Sequence, residues 1–327
     1  MSLDYITPWE KFRSVNQLKK KRFLKKINYG NAIKDLTILC KMFKETYGYE
    51  YEAIIYSELS KLYSQLKRNI SSVLNLKKKE KCYWNGLLKD AKYGSGMFSA
   101  SYLNWYSTNI EIINLYNSSN LKLKANIWSL NFSIKLFKLS KIIECTSWVS
   151  LLIVEFYDFP VFWYKCTILI TKCYLKTNNI CEFVKYLNQI KVYVEQCKKR
   201  LINDFFIRKI LKECASIQTI VNKNFPSHKN EFFDNNCNEI QEIDDFAKQL
   251  YDNSSNKEEY FKKIIVKKYS DFKILIFFCN WIIKNSHEIE NKTNTSINIE
   301  TMGPKVSNML QYKGLLEECN LLDSEMC

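Results

Sequence analysis

Apolar side chains recur every three or four residues through most of the chain, which is the spacing of one face of an α-helix. Polar and charged residues fill the positions between them. The clearest stripes are Ile33, Leu36, Leu39, Cys40 and Phe43, then Ile54, Ile55, Leu59, Leu62 and Leu66, and later Phe183, Leu187, Ile190 and Val194. The pattern therefore predicts a series of amphipathic helices with no strands between them.

Short polar segments mark where these helices begin and end. Thr7, Pro8, Trp9 and Glu10 form a capping box with proline in the first turn, so the first helix is expected to begin there and run to about Lys20. Gly48 is expected to close the second helix, and residues 117–120 and 177–179 to separate later ones. The lysine-rich tract 77–81 is interpreted as the solvated face of the fourth helix.

The predicted helices have similar lengths and short connections, which is typical of helical hairpins stacked side by side. Seven Gly and four Pro in 327 residues also favour long helices over folds that need many tight turns. Segment 161–194 has the length of one tetratricopeptide (TPR) unit, about 34 residues, but lacks the signature Trp, Gly and Pro positions. We therefore predict an all-α, TPR-like helical hairpin solenoid with an irregular polar linker before the C-terminal helices.

The predicted organisation has three parts. Residues 1–221 form the TPR-like solenoid, and residues 222–245 form a polar, acidic linker or loop. Residues 246–327 supply C-terminal helices that complete the same solenoid, including one helix from Glu258 to Lys284 and a final one from about Pro304 to Leu322.

Charge is distributed unevenly along the chain. The whole chain carries 49 basic and 34 acidic residues, and the first 230 residues alone carry a net charge of +21 against −6 for the rest. Such a basic surface suits an acidic protein, a nucleic acid or an anionic membrane. The coding bias of an AT-rich genome, which enriches Lys, Asn, Ile and Tyr, is an alternative source of part of this charge.

Residues that carry chemistry are sparse. The twelve cysteines contain no CxxC pair, which predicts buried, reduced thiols such as Cys166 and Cys173 and no metal site. The two histidines, His228 and His287, lie in no setting typical of a catalytic triad. We therefore expect no enzyme activity, no cofactor and no small-molecule substrate. The absence of a signal peptide pattern and of a transmembrane segment favours the cytoplasm or nucleus.

A basic strip near the start is the sharpest local feature. It consists of Lys19, Lys20, Lys21, Arg22, Phe23, Leu24, Lys25 and Lys26. We expect it to bind a partner electrostatically, with Phe23 and Leu24 as apolar anchors. Two alternatives are a solvated helix end, where cations suit the helix dipole, and an internal role in which Phe23 and Leu24 seal the first hairpin.

Four ordered segments resemble a known family. They are residues 12–26 (FRSVNQLKKKRFLKK), 51–53 (YEA), 91–94 (AKYG) and the hairpin from Cys173, Tyr174 and Leu175 to Phe183. Their order and spacing over about residues 9–197 are similar to those of the family of the forty-kilodalton huntingtin-associated protein, also called factor VIII intron 22 protein. The chain departs from the vertebrate members in lacking their Ala-rich helices and Pro-rich linker.

This resemblance implies a TPR-like, non-catalytic adaptor that binds and stabilises the HEAT-repeat scaffold huntingtin in a one-to-one complex. It also implies a link to early-endosome traffic, with an early-endosomal Rab GTPase as a further partner, and a cytoplasmic, endosome-associated and nuclear distribution.

Two other functions remain open. One is a TPR-like vesicle-trafficking adaptor of the SNARE attachment type, and the other is a basic helical protein that binds nucleic acid.

Overall fold

The computed structural model describes residues 7–18, 29–92, 100–199, 204–224, 261–267 and 269–293. Eleven α-helices and one short π-helix make up most of these residues, and none of the described residues lies in a β-strand. Each α-helix packs against the next α-helix along the chain within its compact unit. The prediction of an all-α fold built from helical hairpins is therefore confirmed.

The chain divides into two compact units between Leu139 and Ser140. In unit 1, successive helices pack against each other from the first to the sixth. They are α1 (Pro8–Leu18), α2 (Tyr29–Tyr47), α3 (Tyr49–Gln65), α4 (Asn69–Lys92), α5 (Ala100–Ser118) and α6 (Lys122–Lys138).

In unit 2, successive α-helices also pack against each other, and the last one additionally contacts α8 and the π-helix. Its α-helices are α7 (Ile142–Glu155), α8 (Pro160–Lys176), α9 (Ile180–Lys199), α10 (Asp204–Asn224) and α11 (Lys273–Thr293), with the π-helix at Phe261–Val266. The predicted linker lies outside the described residues except for residues 222–224, which end α10. The predicted helix from about Pro304 to Leu322 lies wholly outside them.

The capping box at the start of α1 forms as predicted. The backbone N–H of Thr7 donates to Oε2 of Glu10 at 2.8 Å, and the backbone N–H of Glu10 donates to Oγ1 of Thr7 at 3.3 Å. These reciprocal bonds satisfy two donors that the first turn of a helix otherwise leaves without partners. They also lower the pKa of the Glu10 carboxyl.

Several helices end in a left-handed residue that is not glycine. Lys67, Asn120, Ser140 and Asn178 all have φ between 54° and 58°. After α3, the N–H of Arg68 donates to the carbonyl of Tyr63 at 2.9 Å and that of Lys67 to the carbonyl of Ser64 at 2.9 Å. This is the Schellman arrangement, which usually places glycine where Lys67 lies.

Tertiary contacts interrupt the helix predicted over Glu258–Lys284. A turn at residues 269–272 separates the π-helix from α11. The carboxylate of Glu213, which is fully buried on α10, accepts hydrogen bonds from the N–H groups of Ile274 at 2.6 Å and Leu275 at 3.1 Å. A carboxylate in this position satisfies free donors and favours a helix N-terminus here. The prediction of one continuous helix was therefore wrong.

Candidate partner-binding surface

The predicted basic strip lies outside the described residues. This applies to all eight of its members, namely Lys19, Lys20, Lys21, Arg22, Phe23, Leu24, Lys25 and Lys26. Its role as a binding segment therefore stays a prediction. The preceding helix α1 is described as far as Leu18, and Arg13 on it is exposed.

A second basic and apolar surface lies on α4, within the lysine-rich part of the fourth helix. Five of its exposed side chains fall on one face because their spacing follows the helical repeat. We call this face the α4 ridge, and it consists of Ile70, Leu74, Lys78, Lys81 and Lys89. Ile70 is 69% exposed and Leu74 is 53% exposed.

No exposed acidic side chain lies among the described side chains of α4. Its two carboxylates are Glu80, which is buried, and Asp90, which is half-buried and lies on the opposite side of the helix from the ridge. Arg68, just before the helix, is also exposed. The ridge therefore presents positive charge beside apolar surface, with no exposed acidic side chain among the described side chains of its own helix.

The opposite side of α4 holds a buried polar network. Oε1 of Glu80 accepts a hydrogen bond from Nε1 of Trp105 on α5 at 2.6 Å and an ion-paired hydrogen bond from Nζ of Lys135 on α6 at 2.7 Å. Nζ of Lys135 also lies 5.0 Å from the centre of the Trp84 ring. Trp105 is fully buried. These contacts join three successive helices through one carboxylate.

The tract 77–81, interpreted from the sequence as a solvated face, is solvated only in part, with Lys78 and Lys81 exposed and Glu80 buried. Nζ of Lys77 lies 4.6 Å from the ring centre of Trp128, and Nζ of Lys79 lies 3.2 Å from Oε2 of Glu111. Nζ of Lys78 lies 5.5 Å from the ring centre of Tyr56. In an α-helix only side chains three or four positions apart share a face, so adjacent side chains point in different directions. Lys77, Lys78 and Lys79 therefore contact different neighbouring helices.

The packing between α3 and α4 gives the ridge a firm base. The buried hydroxyl of Ser72 lies 2.7 Å from that of Ser60, and Sγ of Cys82 donates to Oε2 of Glu52 at 3.6 Å. Burial, with a further contribution from the negative charge of Glu52, raises the pKa of Cys82 to about 12. Cys82 therefore remains a thiol donor at neutral pH.

A cluster of aromatic rings lies where α1 meets the turn between α2 and α3. The Trp9 ring centre is 4.8 Å from that of Phe43 and 6.1 Å from those of Tyr47 and Tyr51. Tyr47 and Tyr51 are each more than one third exposed. This cluster anchors α1 to the first hairpin and leaves tyrosine edges at the surface.

In unit 2, α7 exposes apolar side chains along one face. Ile143 is 81% exposed, Leu151 is 66% exposed and Val154 is 74% exposed. Three exposed branched side chains on one short helix are a candidate contact surface, because burying each in an interface removes apolar area from water. This face carries no lysine or arginine, unlike the α4 ridge.

The described residues show no arrangement that holds a metal ion. Among them, no group of three or more His, Cys, Asp or Glu side chains comes together in that way. His287 lies in α11, and His228 lies outside the described part of the chain. Across the helices that were described, none is long and apolar enough to cross a membrane.

The chain was compared with known protein families and with curated proteins. No family model matches it. No curated protein matches it either.

Proposed function

We propose that this chain is a non-catalytic adaptor that binds an acidic surface of a large helical-repeat scaffold through the α4 ridge. The observation that carries this proposal is the juxtaposition of exposed Ile70 and Leu74 with exposed Lys78, Lys81 and Lys89 on one helix face. Apolar side chains beside like charges suit a docking surface better than they suit a face that meets only water.

The two kinds of side chain have different roles in this proposal. Burying Ile70 and Leu74 in an interface contributes about 1.5–3 kcal/mol for each side chain, before the cost of association. The lysines attract an acidic partner from a distance and set its orientation, so they affect the association rate more than the final affinity. Rigid packing of α4 through Glu80 limits the ordering cost on binding.

We further propose that the scaffold is huntingtin, bound one to one and stabilised by the adaptor. The four ordered segments that resemble the huntingtin-associated family support this identity. The same resemblance supports a cytoplasmic, early-endosome-associated and nuclear distribution and an early-endosomal Rab GTPase as a further partner.

The first experiment is affinity purification of the tagged, full-length chain from its own cells at moderate salt, with mass spectrometry of the stoichiometric partners. We expect huntingtin at close to one copy per chain. Recovery of SNARE proteins or nucleic acid in place of a scaffold, or of no partner, would overturn the adaptor proposal.

Ridge variants in the same experiment locate the binding surface. Ile70→Ser with Leu74→Ser is expected to lower partner recovery at least tenfold, and Lys78→Glu with Lys81→Glu and Lys89→Glu to slow association. The matched control reverses the charge of three exposed lysines in unit 2, Lys165, Lys176 and Lys284. If both ridge variants recover as much huntingtin as the control does, huntingtin is still the partner but the α4 ridge is not the surface that binds it.

A further inference from the structure

Two buried cysteine thiols from neighbouring helices of unit 2 lie in contact. Sγ of Cys145 on α7 and Sγ of Cys173 on α8 are 3.5 Å apart. Cys145 is fully buried and Cys173 is 1% exposed. No disulfide joins them. The two sulfurs therefore need to approach by about 1.5 Å to reach the S–S bond length of a disulfide.

The pKa of Cys173 lies below the ordinary value for a thiol. Its pKa is lowered chiefly because it hydrogen-bonds with Cys145, with smaller effects from Thr146 and Lys176, while burial acts in the opposite direction. Cys166, one heptad earlier on the same helix and equally buried, differs because burial alone raises its pKa to about 12. Because the thiolate is the reactive form, Cys173 is a better nucleophile than Cys166.

We propose that Cys145 and Cys173 are an oxidisable dithiol that closes into a disulfide between α7 and α8 when hydrogen peroxide is the oxidant. The Cys173 thiolate attacks one peroxide oxygen, which forms a sulfenic acid and releases hydroxide. The sulfur of Cys145 then attacks the Cys173 sulfur. The sulfenic oxygen leaves as water with the proton of the Cys145 thiol. In total, two thiols and one peroxide give one disulfide and two waters.

Burial of both sulfurs sets the conditions for this reaction. Peroxide reaches them only when the α7–α8 contact opens locally, so oxidation is slower than at the exposed Cys181. In a reducing compartment the pair rests as thiols and oxidises transiently. The disulfide links residues 28 positions apart and joins α7 covalently to α8. Helix α7 carries the exposed face of Ile143, Leu151 and Val154.

The test oxidises the folded, full-length chain with hydrogen peroxide, followed by alkylation of remaining thiols and non-reducing peptide mapping. We expect a linked pair of peptides that contains Cys145 and Cys173, with a mass lower by two hydrogen atoms. Closing this loop is also expected to raise the Tm of unit 2 by about 5–10 °C, and a reductant such as dithiothreitol to reverse that rise.

Two variants complete the test. Cys173→Ala is expected to abolish both the linked peptides and the rise in Tm, whereas the matched control Cys166→Ala on the same helix keeps both. Peptide mapping of the unmodified chain needs no variant, so an unfolded variant does not leave the proposal untested. Absence of the linked pair once Cys181 is fully oxidised, or its appearance only after denaturation, overturns the proposal.

Discussion

Oε1 of Glu80 lies 2.7 Å from Nζ of Lys135, although the two residues are 55 positions apart in the chain. The Glu80 side chain is 3% exposed and that of Lys135 is 28% exposed, so the pair is largely shielded from water. The same oxygen accepts the indole N–H of Trp105. One carboxylate thus holds α4, α5 and α6 together beneath the α4 ridge.

Removing this carboxylate is expected to destabilise unit 1 strongly. Glu80→Ala leaves the buried indole N–H of Trp105 without this acceptor and a largely buried ammonium without its counter-charge. We expect the free energy of unfolding to fall by about 2–4 kcal/mol. Urea denaturation monitored by tryptophan fluorescence measures this change as a shift of the unfolding midpoint.

Glu182→Ala is the control, because Glu182 also pairs with a lysine, Lys185, but its side chain is 43% exposed and that of Lys185 is 68% exposed. An exposed pair of this kind contributes less than about 1 kcal/mol. Equal shifts of the urea midpoint in the two variants contradict the role given to Glu80.

Glu213 is expected to make the stability of unit 2 depend on pH. Burial raises its pKa, and hydrogen bonds from Tyr164, Leu275 and Ile274 offset only part of that rise. Because its pKa is higher in the folded state than in the unfolded state, about 4.3, its contribution to stability is complete below about pH 4.3. That contribution is lost as pH rises through the folded-state pKa.

Glu213→Gln removes the titration but keeps the acceptor for the N–H groups that begin α11. We therefore expect the variant to gain stability relative to the unmodified chain as pH rises above about 4.3, until the difference levels off. Urea midpoints of both proteins between about pH 4 and pH 8 measure this difference. Asp158→Asn, at an exposed carboxylate on the surface of unit 2, is the control. Parallel curves for Glu213→Gln and the unmodified chain rule out this linkage.

Glycine at the end of α3 is expected to stabilise unit 1. Lys67 has φ of 56°, a left-handed conformation that costs a residue with a Cβ atom about 1 kcal/mol more than glycine. Lys67→Gly removes this strain and is expected to raise the free energy of unfolding by about 0.5–1 kcal/mol. Lys61→Gly, at an exposed position inside the same helix, is expected to lower it by about 1 kcal/mol. The same sign of change for both variants contradicts the prediction.

The isolated chain is expected to self-associate. When the partner is absent, contact with another copy of the chain buries exposed apolar side chains such as Ile70 and Leu74, and this burial favours association. Ile70→Ser with Leu74→Ser should reduce the mass measured by light scattering after gel filtration, with little effect on the Tm because both sites are exposed. A monodisperse, cooperatively melting monomer of the unmodified chain contradicts this expectation.

Local sequence was sufficient to predict most helix boundaries of the described chain. The capping box of Thr7 and Glu10 forms, Gly48 separates α2 from α3, and residues 177–179 connect α8 to α9. These features depend on residues three or four positions apart, whose contacts form within a single helix. Spacing alone therefore predicts them.

Long-range contacts account for what sequence reasoning missed. The sequence of the tract 77–81 does not predict that Glu80 is buried while its lysine neighbours are not. The reason is that the partners of Glu80, Trp105 and Lys135, lie on other helices. The α4 ridge was likewise not predicted, although Ile70 and Leu74 fall on one helical face with Lys78 and Lys81. Helical spacing shows which residues share a face, but not which face a neighbouring helix covers.

By itself, the sequence determined that the described part of this protein is all-helical, where most of the described helices begin and end, and that its first 230 residues are strongly basic. These properties follow from local spacing and from composition. Only the tertiary structure decided that Glu213 starts α11, that Cys145 meets Cys173 and that the outer face of α4 stays exposed. Each of these depends on how separate helices pack, and packing is set by all the contacting side chains together.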